Sequence, residues 1–463
     1  MSAYYGDDKP ITAFATTPGK SALTLIRCSG KGAVDLASSV FSAPEKIKNA
    51  SGNTLVHGWI VSANEKIDEV IISVFRAPKS YTGEDSLDIS CHGGFAAGKA
   101  VMEALKLAGF REALPGEFTF RAFMNGKLDL SRAESVMELV SAKTETGRRH
   151  AVTRLSGALE TEINEIKKML VEVLSGAEIF LDYSEDEISA DADEKEGKLP
   201  KQDIALETLA RLKKLSISWQ HERIYQEGFL AVIAGRPNAG KSSLFNLLLK
   251  EDRSIVTEIP GTTRDWIEAW VSVEGIPIRL VDTAGLRDSA DPAEKAGVER
   301  SRKLLEDAEL ILYLIDGAEG VTAEDKAFVA EQRGKTRPLL VLWNKCDIST
   351  MPSDLLAANA ISVSAKTGDG DAQLYAAIIS AVQAQTAATD LQTAALGSQR
   401  QKNLVDVACT ALEEALALAE REEPLDIIAP LLREAVNALG EITGEVSTAD
   451  ILEEMFSKFC VGK

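Results

Sequence analysis

The segment at residues 235–242 reads GRPNAGKS and satisfies the spacing G-x-x-x-x-G-K-[ST] of a phosphate-binding loop. It follows the apolar run FLAVIA and precedes the helical run KSSLFNLLLK, which is the context that such a loop requires. Glycines let backbone N–H groups wrap phosphates, Lys241 would neutralise the β and γ oxygens, and Ser242 would offer its hydroxyl to Mg²⁺. These residues predict a nucleoside triphosphate site. Its expected members are Asn238, Ala239, Gly240, Lys241, Ser242 and Ser243.

Three further short motifs follow the phosphate loop: DTAG at residues 282–285, NKCD at 344–347 and SAK at 364–366. In the first, an aspartate can approach the metal and a glycine can present its N–H to the γ-phosphate. The other two resemble the guanine-recognition motifs of Ras-like GTPases, in which the Asp carboxylate takes the two N–H donors of guanine. Adenine offers no such donor pair, so we expect GTP. The expected members are Asp282, Thr283, Ala284, Gly285, Asn344, Lys345, Asp347, Ser364, Ala365 and Lys366.

The group that would activate water is less evident. Leu286 occupies the place where Ras-like proteins carry the glutamine that orients the attacking water, and a leucine cannot do so. Either the domain hydrolyses slowly and serves as a switch, or another group does this work. Glu294 could position the nucleophile through a water. From spacing alone, an ordinary exposed carboxylate is the favoured reading of Glu294.

The elements that must position these motifs alternate between apolar strands and helices. The strands are the runs FLAVIAG, IPIRLVDTAG, LILYLIDG, PLLVLWNKCD and AISVSA, with helical runs between them. This alternation predicts a Ras-like α/β G domain with a mainly parallel sheet. We place this P-loop domain at residues 225–388.

The flanking regions predict a multidomain chain. Residues 1–125 mix β-rich runs with glycine turns and one helix from about residue 95 to 109, which indicates an α+β domain. Residues 126–224 and 389–463 show helical periodicity, so the G domain would be inserted into an all-α helical domain whose two parts pack together. One long amphipathic helix is predicted by Leu155, Leu159, Ile163, Ile166, Leu170 and Val173.

Local signals place some boundaries in the helical parts. Ser131 with Glu134 predicts a capping box that opens a helix, and the last helix is expected to start at Ser447 with Asp450 in the equivalent position. The acidic stretch at residues 184–203 has almost no apolar residues and predicts an exposed excursion.

Composition excludes several classes of protein. The formal net charge of −20 argues against a broad, sequence-independent grip on nucleic acid, so such a partner would need a local basic patch or a helper protein. Five cysteines without a CxxC pair indicate neither a disulfide framework nor a zinc site, and we expect reduced thiols. No run of about 18 apolar residues occurs, and the first residues resemble no targeting peptide, so we expect a cytoplasmic protein with no membrane partner.

The chain ends FCVGK, with Cys460 fourth from the end. That is the position of a prenylated cysteine, but Gly462 and Lys463 fit the rest of such a motif poorly. A frayed terminus and a tail that belongs to a site remain as alternatives.

Four segments outside the GTPase motifs are informative together: LPGEFT (114–119), RAF (121–123), NGKLDL (125–130) and the terminal CVGK (460–463). With them, essentially the entire chain resembles the tRNA-modifying GTPases of bacteria and organelles. The family's usual terminus carries isoleucine where this chain has Val461, which is an exchange of one β-branched residue for another.

The resemblance implies a reduced folate in the N-terminal domain, 5,10-methylene-tetrahydrofolate or its 5-formyl analogue. Lysines and an arginine suit the carboxylates of folate, and a glutamate could accept from the pterin N–H groups. The tail would fold back to this pocket and bring Cys460 close to the one-carbon unit, either as a nucleophile or as a packed thiol. The implied folate-binding residues are Arg27, Glu84, Lys127 and Lys463.

The resemblance also implies activation by K⁺ at a dimer of G domains, with K⁺ in the place of an arginine finger. Thr263 would join Ser242 on Mg²⁺, and Glu294 falls on the catalytic glutamate of the family. The implied K⁺ ligands are oxygens of Asn238, Thr257, Ile259 and Thr262.

The implied activity is GTP hydrolysis in the service of modifying C5 of the wobble uridine (position 34) of certain tRNAs. A folate one-carbon unit would become an aminomethyl or carboxymethylaminomethyl group. The homodimer would act with an FAD-containing flavoprotein of the GidA (MnmG) type, as a heterotetramer. Two alternatives are a GTP-switched ribosome-assembly factor, which predicts a basic RNA-binding domain that is lacking here, and a folate-dependent transferase acting on a small molecule.

Overall fold

The structure is a computed structural model. It describes residues 8–63, 65–182, 199–250, 254–255, 267–282, 303–335, 337–357, 359–384 and 394–463. The chain forms two compact units. The first comprises Met1–Met137, Glu160–Leu206 and Val407–Lys463, and the second comprises Glu138–Leu159 and Glu207–Asp406.

A six-stranded sheet organises the amino-terminal part of the first unit, in the order β3-β4-β5-β2-β1-β6. Neighbouring strands are antiparallel except for β1 and β6, which are parallel. The strands are β1 (Ile11–Phe14), β2 (Leu23–Ser29), β3 (Thr54–Ser62), β4 (Glu65–Phe75), β5 (Ser86–His92) and β6 (Arg111–Glu112). The helices are α1 (Ala33–Ser39), α2 (Pro44–Lys48), α3 (Phe95–Ala108) and α4 (Glu117–Met124).

This arrangement confirms the predicted α+β class. In β4 every second residue is buried, including Val70, Ile72 and Val74, because successive side chains of a strand point to opposite faces. Val101 and Leu105 of α3 join the same core. The expectation of a single helix is wrong, since α1, α2 and α4 also form. Each is only five to eight residues long, too short to show a helical period in sequence.

Four helices follow: α5 (Leu130–Ser141), α6 (Glu145–Leu155), α7 (Ala158–Asp182) and α8 (Gln202–Glu227). The predicted cap at Ser131 is wrong, because the carboxylate of Asp129 accepts from the backbone N–H groups of Ser131 and Arg132 at 2.8 and 3.2 Å. Those N–H groups lie at the second and third positions of α5, where a helix lacks internal acceptors. Asp129 is therefore the cap.

The predicted amphipathic helix corresponds to α7. Leu159, Ile163, Ile166, Leu170 and Val173 are all fully buried, which confirms the periodicity within α7. The inclusion of Leu155 is wrong, because Leu155 ends α6 and Gly157, with φ 97°, separates the two helices. The acidic stretch that follows lies outside the described residues up to position 198. Its described end differs from the expected exposed excursion, because Leu199 is 3% exposed and Gln202 already opens α8.

A seven-stranded sheet organises the second unit, in the order β13-β12-β11-β7-β10-β9-β8. Its first five members are parallel, as predicted, and β9 and β8 add an antiparallel edge that was not expected. The strands are β7 (Phe229–Gly235), β8 (Ser254–Ile255), β9 (Ile267–Val273), β10 (Ile276–Asp282), β11 (Leu310–Asp316), β12 (Leu339–Asn344) and β13 (Ile361–Ser362). The helices are α9 (Lys241–Lys250), α10 (Ala323–Arg333), α11 (Ser353–Ala357) and α12 (Asp371–Gln383).

Both faces of this sheet are covered, which explains why its central strands are apolar throughout. In β11, Leu312 and Leu314 enter a core with α9 and α12, while Ile311, Tyr313 and Ile315 enter a second core with α10. All seven residues of β11 are buried. This layering is that of an α/β domain with helices on each side of a parallel sheet.

The chain closes with α13 (Gln399–Glu420), α14 (Leu425–Thr443) and α15 (Ala449–Ser457). The predicted start of the last helix at Ser447 is wrong by one residue, because Thr448 is the cap and its side chain accepts from the N–H of Ile451. Asp450 therefore lies in the first turn and not in a capping box. Within the described residues, none of the helices has the length and apolar content that crossing a membrane would require.

Candidate functional site

The phosphate loop has the predicted position, between β7 and α9. Gly235 and Gly240 have φ values of 148° and 97°, in the region that favours glycine. A Cβ at Gly240 would lie 2.2 Å from Nδ2 of Asn344, and one at Gly235 would lie 2.5 Å from the carbonyl oxygen of Leu314. Both glycines are thus required by close approach as well as by backbone shape. Asn238 has φ 62° and an exposed side chain.

The side chains of Lys241 and Ser242 in this loop have polar partners that bear on phosphate and metal binding. Nζ of Lys241 donates to the carbonyl oxygens of Gly235 and Arg236 at 3.0 and 2.8 Å, so it lies over its own loop. Oγ of Ser242 donates to the carboxylate of Asp282 at 2.8 Å, across from the end of β10. Asp282 is fully buried. A hydroxyl and a carboxylate brought together at this place are the oxygen ligands that suit Mg²⁺.

The base-recognition motifs are joined to the phosphate loop by hydrogen bonds. Nδ2 of Asn344 donates to the carbonyl oxygen of Ala239 at 2.7 Å, and the N–H of Ala365 donates to Oδ1 of Asn344 at 3.0 Å. Oγ of Ser364 donates to Oδ1 of Asp347 at 2.7 Å. The structure therefore brings together residues that lie more than a hundred positions apart, since the carboxyl ends of parallel strands meet at one edge. We call this edge the nucleotide edge.

Sequence reasoning missed Asp316, which ends β11 at the same edge. Its carboxylate accepts from Nζ of Lys345 at 2.6 Å and from the N–H of Ala318 at 2.9 Å. Burial opposes ionisation, but these hydrogen bonds to Lys345 and to the backbone hold the pKa of Asp316 below its usual value. The available signal was an acidic residue directly after a buried strand, the same pattern that identified Asp282.

The remaining residues singled out from the sequence fall into two groups. Thr257, Ile259, Thr262, Thr263, Thr283, Ala284, Gly285, Leu286 and Glu294 lie outside the described residues. Ser243 and Lys366 are described and exposed. Across the described ranges, no three His, Cys, Asp or Glu side chains gather closely enough to hold a metal ion.

The residues expected to bind folate have partners within the first unit. Arg27 pairs with Asp88 on the neighbouring strand at 2.9 Å, and its guanidinium lies 5.7 Å from the ring centre of Tyr81. Nζ of Lys127 donates to the carbonyl oxygen of Pro78 at 3.0 Å. The hydrogen bond of Lys127 holds the loop before β5 next to the segment after α4.

Glu84 lies in a buried polar network. Its carboxylate accepts from Oγ of Ser29 at 2.8 Å and lies 3.3 Å from the guanidinium of Arg121. Arg121 also pairs with Glu117 at 3.0 Å, and Glu117 pairs in turn with Arg111 at 2.5 Å. Glu117 and Arg121 come from the LPGEFT and RAF segments, so those segments build the support of Glu84.

The carboxyl-terminal tail folds back onto the amino-terminal part of the first unit, and its approach to a folate pocket stays a prediction. The N–H of Gly116 donates to the carbonyl oxygen of Cys460 at 3.3 Å, and the N–H of Phe118 donates to that of Lys463 at 3.2 Å. Gly462 has φ 93°, and a Cβ there would lie 2.3 Å from the carbonyl oxygen of Phe14. The frayed-terminus alternative is therefore excluded.

The five cysteines are all free thiols, as expected, but their environments differ. Burial raises the pKa of Cys28 to about 12 and that of Cys91 to about 11, so both are neutral at physiological pH. Cys460 is exposed at the folded-back tail.

Comparison with known proteins extends these observations to the whole chain. A family model described as MnmE helical domain matches residues 130–460, and one described as GTP-binding protein TrmE N-terminus matches residues 10–127. The tRNA modification GTPase MnmE of Treponema denticola is 43% identical, over 99% of this chain and 99% of that protein. The protein of the same name from Borreliella burgdorferi is 39% identical, over 100% of both chains.

Among solved structures, the G domain of the T. maritima FeoB iron transporter is 25% identical and covers 34% of this chain and 99% of that chain, with a TM-score of 0.26. That score is too low to support a statement about the fold. The full-length identity to the relatives and the two matched family models are decisive, and this chain belongs to the MnmE family of tRNA modification GTPases.

Proposed function

We propose that GTP binds along the nucleotide edge, with its phosphates on residues 235–242 and its base against residues 344–347 and 364–366. As a member of its family, the chain is a GTP hydrolase that takes part in tRNA modification. The observation that carries the assignment is the pair of hydrogen bonds through Asn344, to Ala239 at 2.7 Å and from Ala365 at 3.0 Å. They fix the phosphate loop and both base motifs in one frame, as a single ligand spanning them would require.

Each side chain at this edge has a chemical role in the proposal. Backbone N–H groups of the loop and Lys241 would bind the phosphates, and Asp347 would accept from the two N–H donors of guanine. Ser364 supports this acceptor role because its hydroxyl already orients the Asp347 carboxylate at 2.7 Å. Adenine lacks the two donors, so the edge would select GTP.

Mg²⁺ fits the oxygen ligands at the end of β10. The ion would neutralise charge on the β- and γ-phosphate oxygens. Ser242 and Thr263 would hold it, with Asp282 oriented by the hydrogen bond from Ser242 at 2.8 Å. A GTPase site needs few protein ligands because the phosphates and water supply the others, which is consistent with the small number of acidic side chains here.

We further propose that K⁺ activates hydrolysis at a homodimer of G domains. Asn238 would supply an amide oxygen, because its left-handed backbone presents an exposed side chain on the phosphate loop. Thr257, Ile259 and Thr262 would complete the K⁺ site, and Glu294 would orient the attacking water in place of the glutamine that Leu286 replaces.

The K⁺ proposal is tested by GTP turnover of the full chain in KCl and in NaCl at equal ionic strength, with Asn238→Ala and Asn403→Ala compared. Asn403 lies on α13, where its side-chain oxygen accepts from Gln399 at 2.7 Å, and serves as the matched control. We expect faster turnover in KCl for the parent and for Asn403→Ala only. Equal rates in both salts would refute a K⁺-activated mechanism.

The folded-back tail supports a second site in the first unit. We propose that methylene-tetrahydrofolate binds with Arg27, Lys127 and Lys463 facing its carboxylates and Glu84 facing the pterin, and that Cys460 lies near the one-carbon unit. The carbon would be transferred to C5 of the wobble uridine of tRNA. A GidA-type (MnmG) flavoprotein holding FAD would complete a heterotetramer and supply much of the tRNA-binding surface, since this chain carries a net charge of −20.

This proposal keeps the domain division suggested by sequence: residues 1–125 for folate, 126–224 and 389–463 as helical parts, and 225–388 as the inserted G domain. Because tRNA is the substrate, we place the protein in the cytoplasm. Family membership favours tRNA modification over a ribosome-assembly role and over a small-molecule transferase. Dependence of folate consumption on added tRNA would distinguish the last of these.

A further inference from the structure

The loop that begins with the last residue of β11 contacts both the phosphate loop and the base motif at residues 344–347. It consists of residues 316–320, DGAEG, and we call it the bracing loop. Its first side chain, Asp316, accepts from Nζ of Lys345 in the base motif at 2.6 Å. Its fourth, Glu319, lies 3.0 Å from the guanidinium of Arg236 in the phosphate loop.

The bracing loop has a closely defined conformation. The N–H groups of Glu319 and Gly320 both donate to the carbonyl oxygen of Asp316, at 3.2 and 2.8 Å. The N–H of Gly317 donates to the carbonyl oxygen of Asn344 at 3.0 Å, and a Cβ at Gly317 would lie 2.4 Å from that oxygen. The loop is therefore in direct contact with the first residue of the base motif, and only glycine permits that contact.

The two ion pairs of the bracing loop differ in strength. The side chains of Arg236 and Glu319 are 27% and 53% exposed, and pairs of this kind contribute little because water screens them. The Asp316 side chain is 3% exposed, and its partner Lys345 is 33% exposed. A charge-assisted hydrogen bond to a buried carboxylate is considerably stronger. The contact that matters is therefore the one between Asp316 and Lys345.

The backbone conformation of Lys345 explains why a fixed partner for its side chain matters. Its backbone has φ 64°, a left-handed conformation that is unfavourable for residues other than glycine. The same conformation turns the chain between Asn344, which binds the phosphate loop, and Asp347, which would bind the base. An interaction that fixes the Lys345 side chain stabilises this turn, and Asp316 supplies it.

We propose that Asp316 is a positioning residue that holds Lys345, and with it the base motif, in the geometry that retains a guanine nucleotide. The inference rests on the proposed function, because it assumes that residues 344–347 contact the base. Loss of the carboxylate should accelerate nucleotide release. Base preference should change little, because the hydrogen-bond acceptor on Asp347 is untouched.

The test uses the full chain with Mg²⁺ and a fluorescent N-methylanthraniloyl GDP, whose release is followed by stopped flow after an excess of GDP is added. Asp316→Asn keeps the size of the side chain and removes its charge, and we expect release about tenfold faster, which corresponds to one strong charge-assisted contact. Asp316→Glu restores the charge at a different length and should recover part of the slow release.

Asp325→Asn is the matched control. Asp325 is also a buried carboxylate, 1% exposed, but it accepts from the hydroxyls of Tyr313 at 2.9 Å and Thr322 at 2.7 Å, two residues outside the nucleotide motifs. This variant should lower the thermal midpoint and leave GDP release within about twofold of the parent. If it accelerated release as much as Asp316→Asn, the effect would be general loosening of the domain and the proposal would be refuted.

A double-mutant cycle with Lys345→Met then separates the proposal from the site assignment. We expect Lys345→Met to accelerate release and Asp316→Asn to add less than about twofold in that background. If GDP release were normal in Asp316→Asn but fast in Lys345→Met, the proposed role of Asp316 would be overturned and the assignment of residues 344–347 would stand. Normal release from Lys345→Met would overturn the assignment of residues 344–347 as well.

Discussion

The nucleotide edge and the residues expected to bind folate differ in the partners that hold their side chains. At the nucleotide edge, the site residues bond to one another: Ser242 to Asp282, Asn344 to Ala239, and Ser364 to Asp347. In the first unit, Arg27, Glu84 and Lys127 each bond to other groups, namely Asp88, Arg121 and the carbonyl oxygen of Pro78. Residues of the short GTPase motifs are thus positioned by hydrogen bonds to one another, whereas the dispersed charged residues of the first unit are positioned by residues outside the expected site.

The difference has a practical consequence for mutagenesis. Removing a side chain at the nucleotide edge should change binding or turnover directly. Removing Arg27 or Glu84 also breaks an ion pair within the fold, so lost folate binding would not by itself identify a ligand contact. Backbone substitutions in the tail avoid this ambiguity.

The largest effect is expected at the phosphate loop. Lys241→Ala should lower GTP turnover on the order of a hundredfold or more, because we propose that Lys241 is the cation that binds the transferring phosphate. Lys335→Ala, which removes an exposed lysine paired with Glu331 at 3.3 Å, should stay within about twofold. Turnover is measured by phosphate release at saturating GTP. If GTP turnover fell similarly in both variants, or in neither, the phosphate-loop lysine would be no more important for turnover than a surface lysine.

An intermediate effect is expected from the tail. Gly462→Ala places a Cβ 2.3 Å from the carbonyl oxygen of Phe14 and should displace the folded-back tail. Affinity for 5-formyl-tetrahydrofolate, measured by calorimetry, should fall about tenfold, given the cost of backbone strain at a left-handed residue. Gly32→Ala is the matched control, because Gly32 also has positive φ, 83°, but nothing lies within 4 Å of its Cβ position. Equal folate affinity in the two variants would show that the position of the tail does not affect folate binding.

The smallest effect is a dependence of stability on pH. Because the pKa of Asp316 is lowered in the folded chain, its ionised carboxylate stabilises the fold above the ordinary Asp pKa of about 3.9, and this contribution is lost as the pH falls through the lowered value. The urea midpoint of the parent should exceed that of Asp316→Asn by a constant amount between about pH 5 and 8. The difference should narrow below about pH 4. A difference that widens as the pH falls below about 4 would contradict the sign of this shift.

Sequence alone predicted the central strands of the nucleotide edge better than it predicted the antiparallel edge strand β9 and the supporting residue Asp316. The run FLAVIAG matches β7 residue for residue, because strands of a parallel sheet are apolar on both faces. The antiparallel edge strand β9 was missed, although apolar and polar residues alternate in its run EAWVSV. The turn that follows β9 is formed by Glu274 and Gly275, which both have positive φ. Asp316 was missed because its partner, Lys345, lies 29 residues away and only the fold brings them together.

Helix starts show a similar limit. Hydroxyl and carboxylate residues that can cap a helix are clustered around both predicted starts, and spacing does not select among them. The backbone geometry favours Asp129 over Ser131 and Thr448 over Ser447. The core-facing residues of α7 were predicted correctly because their period extends over many turns.

The central claim is that the nucleotide edge recognises guanine through Asp347, and a change of base preference tests it most directly. Turnover of GTP and of XTP is compared in the parent, in Asp347→Asn and in the exposed control Asp354→Asn of α11. Asparagine can donate to the additional carbonyl oxygen of xanthine but cannot accept both guanine donors. We predict that Asp347→Asn loses GTP turnover on the order of a hundredfold and gains XTP turnover, with the control unchanged. Retained GTP turnover without any gain for XTP would contradict the account.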